Sequence, residues 1–252
     1  FNSTLLIKME SHPEHLLTKI LERKSIRKFK SKKVSKEHIK KIVKAGQRAP
    51  TACKVEAYSF ILISDQQKRT EIMDATVSHQ STRQFMMEAP VWIVICTDYA
   101  RHIKLSEKLG IEAKFETVSK FILGLIDASL AAENMTIAAE ALGLASCFVG
   151  SIWTAIPRIS EILNVPKNVL PFLLLCIGYP DEIPAERVRW PIEAILHENT
   201  YSFPTDEIIF AHSKTRKKWE TSSPYRLNKE TENRIYRDLA ERGFMKDRTT
   251  HV

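Results

Sequence analysis

The sequence reads as a globular fold that mixes helices with a few buried strands, and three features point there. Val91-Trp92-Ile93-Val94-Ile95-Cys96 and the run from Leu170 to Ile177 are nearly continuous apolar stretches, the pattern of strands buried on both faces. Phe121 to Leu142 is rich in Ala, Leu and Ile almost all round, the pattern of a buried helix. The chain has 252 residues, 44% hydrophobic and 27% charged, enough for a sizeable core in one large domain or a domain with an extension.

Composition excludes several function classes. The net charge of +8 favours anionic ligands but is too modest to indicate nucleic-acid binding by itself. Cys53, Cys96, Cys147 and Cys176 form no CxxC pair and three lie in apolar runs, which predicts free thiols and a reducing compartment. No apolar run approaches the length of a membrane span. Phe1 to Lys8 is too short and poorly flanked for a signal peptide. Residues 1–14 are expected to be disordered or an added leader, with Met9 as the natural start. There is no P-loop, GxGxxG, HExxH or zinc spacing, so the usual dinucleotide and metal chemistries lack local support.

In chain order, Leu16, Leu17, Ile20 and Leu21 give a helical stripe over His15 to Arg23. Ser35 is a helix cap before the stripe of Ile39, Ile42 and Val43, and Gly46 is expected to end that helix. Arg48 to Cys53 is a tight loop able to approach a flat ligand, or an ordinary connection. Tyr58 to Ile63 is a strand and Asp65 to Ala75 a helix; the polar segment around Gln80, Arg83 and Gln84 fits neither pattern. A charged insertion runs from Asp98 to about Thr117. Gly143 ends the long helix, a short strand follows, and Gly150-Ser151 makes a turn whose backbone N–H groups can face a ligand. Pro157 to Leu163 is a short helix. Pro171 predicts that the following strand starts at an edge or outside the ladder. Gly178 to Pro184 is loop, Ile192 to Phe203 is expected to be extended, and Asn228 to Arg242 is expected to be a surface helix.

One stretch carries chemistry. Arg23, Ser25 and Arg27 alternate, so in an extended segment they share a face, with Ile26 pointing into the core. Two guanidinium forks around a hydroxyl suit phosphate or carboxylate oxygens. The same run, with Lys24, Lys28, Lys30, Lys32 and Lys33, also suits a solvated face or a nucleic-acid patch. Arg187-Val188-Arg189 repeats the alternation far along the chain.

Arg23-Lys24-Ser25-Ile26-Arg27-Lys28-Phe29 resembles the Arg-x-Ser-x-Arg/Lys-x-Phe signature of the nitroreductase family of FMN enzymes. Ala49-Pro50-Thr51-Ala52, the segment Gly143-Leu144 to Gly150, and Cys176-Ile177-Gly178-Tyr179-Pro180 followed by Arg187-x-Arg189 come in that family's order. Ile195 to Tyr201 and the basic, helical C-terminus look like the NADPH-preferring nitro/flavin reductase subgroup.

The resemblance implies an α+β fold: a mixed, mostly antiparallel sheet flanked by helices, in an intertwined homodimer with FMN at the interface. It implies a core over residues 15–204 and a helical extension with a basic loop over 205–252. It assigns Arg23, Lys24 and Ser25 to the phosphate and ribityl end of FMN, Arg27 to the pyrimidine edge, and Arg187 and Arg189 to the phosphate. Pro50, Thr51 and Ala52 would pack on the ring from the partner subunit. Phe148, Val149, Gly150 and Ser151 would line its other side, and Gln80 or Gln84 would supply an amide. Glu56 departs from the Gln or Asn common in relatives. Arg216, Lys217 and Lys218 resemble a loop that grips the nicotinamide-nucleotide phosphate, so NADPH is expected ahead of NADH.

The activity implied is cytoplasmic and ping-pong. NAD(P)H reduces FMN and leaves; then a small nitroaromatic, quinone or flavin is reduced at the same face, with no metal, membrane or nucleic acid. The alternatives are FMN in a structural or sensory role, and a basic nucleic-acid-binding module.

Overall fold

Four strands form one sheet in the order β1-β2-β4-β3, where β1 is Tyr58–Leu62, β2 Val91–Asp98, β3 Ala145–Val149 and β4 Val169–Gly178. Every pairing among them is antiparallel. The computed structural model describes residues 13–76, 80–112, 115, 117–214 and 229–244. The chain divides into two units, Phe1–Pro184 with Asn233–Val252, and Ala185–Glu232.

The two central strands bury side chains on both faces, as their continuous apolar sequence requires. Trp92, Val94 and Cys96 of β2 and Leu174 and Cys176 of β4 face one core, with Ile26, Phe29, Phe85, Met86 and Ile159. Ile93, Ile95, Leu175 and Ile177 face the other, with Ile42, Ala128, Ala131 and Met135. The helices of the first core are α3 (Gln66–Thr76), α4 (Gln80–Glu88) and α7 (Ile156–Leu163). Those of the second are α2 (Lys36–Gly46) and α6 (Val118–Ala141). The chain begins with α1 (Pro13–Glu22), and α5 (Ala100–Leu109) lies in the charged insertion.

Several sequence expectations need correction. α2 ends at Gly46 as expected, but without a left-handed glycine cap: the C-cap is Gln47 in right-handed backbone. Gly46 is there for close packing, because a Cβ on it would lie 2.8 Å from Met135 Cγ and 3.2 Å from the Ala131 carbonyl oxygen. Pro171 sits inside the β2 ladder opposite Cys96, where a register shift at Ile95/Cys96 accommodates it. The β3 ladder starts only at Leu174, so Pro171 needs no donor on that side. The segment around Gln80 is helical, burying Phe85 and Met86. By length and composition α6 could cross a membrane, but its Ala128, Ala131, Ala132, Met135 and Ala139 face is buried in the second core. The C-terminal helix α9 (Lys229–Glu241) is not purely a surface element: Leu239 and Phe244 are buried with Tyr99, and the Phe244 ring meets Phe121 edge-on at 5.6 Å.

In the second unit the Ile192 to Phe203 segment is not continuously extended. A 3-10 turn covers Ile192–Ala194 and bends follow, before α8 (Asp206–Lys214). Trp190 stacks on His212 at 3.8 Å. Leu196, Tyr201 and Phe203 are exposed.

Candidate active site

The Arg23–Phe29 stretch is extended and clamped by backbone bonds on two sides. Ile26 N–H donates to the Ser146 carbonyl of β3 at 3.1 Å. Asp181 N–H donates to the Lys28 carbonyl, and Lys30 N–H to the Tyr179 carbonyl, both at 2.9 Å. Ile26 is buried in the first core, as the alternation predicted; Phe29, which strict alternation would put on the Arg27 face, is buried with it. Gly178 permits the crossing: a Cβ there would lie 2.7 Å from both Phe29 Cδ1 and Pro90 Cδ.

The clamp leaves polar side chains to spare. Among the described residues no acceptor takes the Arg23 guanidinium or the Ser25 hydroxyl, and both residues are half-buried beside Lys24. Arg27 is fixed through its backbone N–H, which donates to Glu182 Oε1 at 2.5 Å. Its exposed guanidinium reaches the Ser25 carbonyl at 3.5 Å and lies 6.0 Å from the Phe85 ring centroid. Phe85 belongs to α4, which also carries Gln80 and Gln84, both exposed and one turn apart. Gln84 Nε2 donates to Glu88 Oε1 at 3.2 Å. Phe148 and Val149 lie on β3, next to the Ser146 contact, and Gly150 and Ser151 open the 3-10 turn that follows.

The Pro50–Ala57 loop is built differently. Cys53, Lys54 and Glu56 all have left-handed backbone, with φ of 51°, 57° and 50°, a conformation costly for residues with a Cβ. Asp127 of α6, 1% exposed, holds it. Thr51 Oγ1 donates to Asp127 Oδ2 at 2.6 Å, Ala52 N–H to Oδ1 at 3.1 Å and Ala57 N–H to Oδ2 at 3.3 Å. From the outside, Arg101 Nη2 donates to the Glu56 and Tyr58 carbonyls at 3.0 and 2.7 Å. His102 Nε2 lies 2.7 Å from the Val55 carbonyl. Lys54, Glu56, Ser59, Arg101 and His102 help line an open cavity of about 410 Å³. Burial, with the nearby Glu56 and Asp127 charges, pushes the Tyr58 phenol above its ordinary value. Glu56, flagged as a departure, is exposed, and its backbone serves the Arg101 clamp.

Within one chain, the two halves do not share a face of the sheet. Ile26 and Phe85 belong to the first core, Ala49 and Tyr58 to the second. Arg187 and Arg189 lie in the second unit, exposed. Arg216, Lys217 and Lys218 lie outside the described residues. Asp127, Arg101, Glu182 and Glu140 escaped the sequence reading. The available signal for Asp127 and Glu140 was the set of acidic residues inside the largely apolar α6, namely Asp127, Glu133 and Glu140.

The model of the nitroreductase family matches residues 20–179, a span that covers the clamp, the strained loop and the whole sheet. The chain belongs to the nitroreductase family. It is 37% identical over 196 residues to the FMN reductase (NADPH) of Bacillus subtilis strain 168, covering 77% of this chain and 76% of that one. It is 32% identical over 209 residues to an NADPH-dependent oxidoreductase of Staphylococcus saprophyticus, covering 80% of this chain and 81% of that one. The solved structure of the NfrA1 nitroreductase from B. subtilis superposes with a TM-score of 0.76 at 30% identity, over 92% of this chain and 100% of that one. The Vibrio harveyi NADPH:FMN oxidoreductase complexed with NAD+ shares the fold, with a TM-score of 0.80 at 23% identity over 92% and 99% of the chains. A nitroreductase fold of the α+β class is therefore present.

Proposed function

We infer that the chain is an FMN-dependent oxidoreductase that takes electrons from NADPH or NADH and delivers them to a small-molecule acceptor. One observation of this structure carries the fit to FMN: among the described residues no hydrogen-bond acceptor takes the guanidinium of Arg23 or the hydroxyl of Ser25, on a stretch whose backbone is fixed at both edges. Such donors suit a phosphate, since they need no rearrangement to receive it.

Arg23, Lys24 and Ser25 hold the phosphate and ribityl end, and Arg187 and Arg189 complete the anion site. When bound, FMN supplies the two-electron chemistry, and the chain supplies binding, orientation and charge. Arg27, its backbone tied to Glu182, sets a positive charge at the pyrimidine edge, where negative charge accumulates on reduction. Gln80 or Gln84, on the helix beside Arg27, offers an amide to the same edge. Phe148, Val149, Gly150 and Ser151 line one side of the ring. Pro50, Thr51 and Ala52 close the other side from a second copy of the chain, because their own copy holds them on the opposite face of the sheet. Arg216, Lys217 and Lys218 read the extra phosphate of NADPH. Residues 15–204 form the flavin-binding core and 205–252 the extension. Nitroaromatics, quinones and flavins are the acceptor classes, reduced in a ping-pong cycle at one shared site. The four free cysteines suit a reducing, cytoplasmic location.

The test is the visible spectrum of the purified protein supplied with FMN, before and after NADPH is added without oxygen. A bound flavin spectrum that bleaches is expected. Failure to take up FMN would overturn the cofactor, and a spectrum unmoved by both NADPH and NADH would overturn the electron donor.

A further inference from the structure

Glu140 sits where local electrostatics disfavour a carboxylate. It is the penultimate residue of α6, at the negative end of the helix dipole, and it is half-buried. Burial pushes its carboxyl above the usual range, while Arg23 and Lys19 oppose that shift. With Ile20, Glu133 and Ile137 these three residues line one cavity of about 10 Å³, room for about one water.

The surroundings of Glu140 narrow its partners. From α1 and the residue after it come Lys19 and Arg23. Glu133, two turns earlier on α6, is the other carboxylate of the cavity. β3 contributes no charged residue between Ala145 and Val149. α2 meets α6 through Gly46 against Met135, and its Lys40, Lys41 and Lys44 are exposed.

We propose that Glu140 is a positioning residue for the Arg23 guanidinium, and the group through which binding of the cofactor phosphate is coupled to proton uptake. The proposal rests on the assignment of Arg23 to that phosphate. Without ligand, Glu140 and the Arg23 guanidinium share this cavity and attract each other across it. An arriving phosphate shares Arg23 with Glu140, and two like charges at one cation favour protonation of the carboxyl. The sign follows. Glu140 is an acid whose value is raised in the folded chain and raised further by phosphate. FMN is favoured below that value, and the advantage is lost as pH rises through it. Riboflavin, with no phosphate, lacks the effect.

The experiment is fluorescence titration of FMN and of riboflavin into the full chain freed of flavin, for wild type, Glu140→Gln and Arg23→Gln across pH. Glu140→Gln should bind FMN about three- to tenfold tighter than wild type at alkaline pH, with the two converging as pH falls through the raised range of the Glu140 carboxyl. The phosphate's own titration is common to both and cancels in the ratio. Riboflavin should show no difference. Arg23→Gln should weaken FMN at least about tenfold, the range of a charge-assisted contact, and weaken riboflavin far less. A Glu140→Gln ratio that is flat with pH, or shared by riboflavin, overturns the proposal; an FMN-specific loss in Arg23→Gln would then leave the phosphate assignment standing. An Arg23→Gln chain that prefers FMN over riboflavin as strongly as wild type does overturns both. Calorimetry in buffers of different ionisation enthalpy reads the coupling directly: wild type should take up more protons with FMN than Glu140→Gln does, and equal uptake overturns the coupling.

Discussion

Asp127 fixes the conformation of the Pro50–Ala57 loop. Its carboxylate accepts from one hydroxyl and two backbone N–H groups, and it offsets three left-handed residues that would otherwise relax. Asp127→Asn puts an amide N–H₂ among these donors. It should lower stability by about 1–3 kcal/mol, the cost of unsatisfied buried polar groups. A denaturant midpoint unchanged from wild type would remove Asp127 from this role. Reading residues from the sequence succeeded where a local pattern sufficed. Alternation of Arg23, Ser25 and Arg27 placed Ile26 in the core, where it is. Asp127 was missed because its partners lie some seventy positions upstream (|i−j| of 70 to 76), and the apolar residues around it dominate any local reading. Arg101 was missed for the same reason: it sits in a charged insertion and acts on backbone carbonyls more than forty positions away (|i−j| of 43 and 45).

At the scale of elements, strands buried on both faces were legible because burial leaves a continuous apolar record. β2 and β4 fall where their runs predicted, and β1 and β3 also fall in their expected segments. Helices α4 and α5 were not legible, since α4 buries only Phe85 and Met86 and no residue of α5 is fully buried. Glycines in tight contacts were misread as punctuation, because close approach between distant elements leaves no local signal. Gly178 is the more demanding. Its added Cβ would strike the Phe29 ring and the Pro90 ring, neither of which can fold away, whereas Gly46 would meet the flexible Met135 side chain. Gly178→Ala should therefore cost about 1–3 kcal/mol of overpacking and displace Phe29, loosening the stretch that carries Arg27. Melting temperature and flavin content should fall together. A destabilised variant with full flavin content would show that the clamp at Gly178 does not position the cofactor stretch.

On the scale of the whole molecule, one chain holds the Arg23–Phe29 stretch and the Pro50–Ala57 loop on opposite faces of its sheet. It also leaves a row of apolar side chains exposed along α6: Val118 at 51%, Ile122 and Ile126 at 49% and Leu130 at 41%. These recur every fourth residue and so form one stripe. A continuous exposed stripe of this kind marks an interaction surface, and a two-fold pairing would bring the loop of one copy to the basic stretch of the other. The pairing was reached in the sequence only through resemblance, since composition and periodicity describe a buried helix without saying what buries it. Sedimentation velocity recorded at the flavin absorption band, on wild type and Ile126→Asp, tests most directly whether two copies build each site. Flavin absorbance should travel at twice the mass of the chain in wild type, and the monomeric variant should travel without it. Flavin that sediments with a single chain would show that one copy is sufficient.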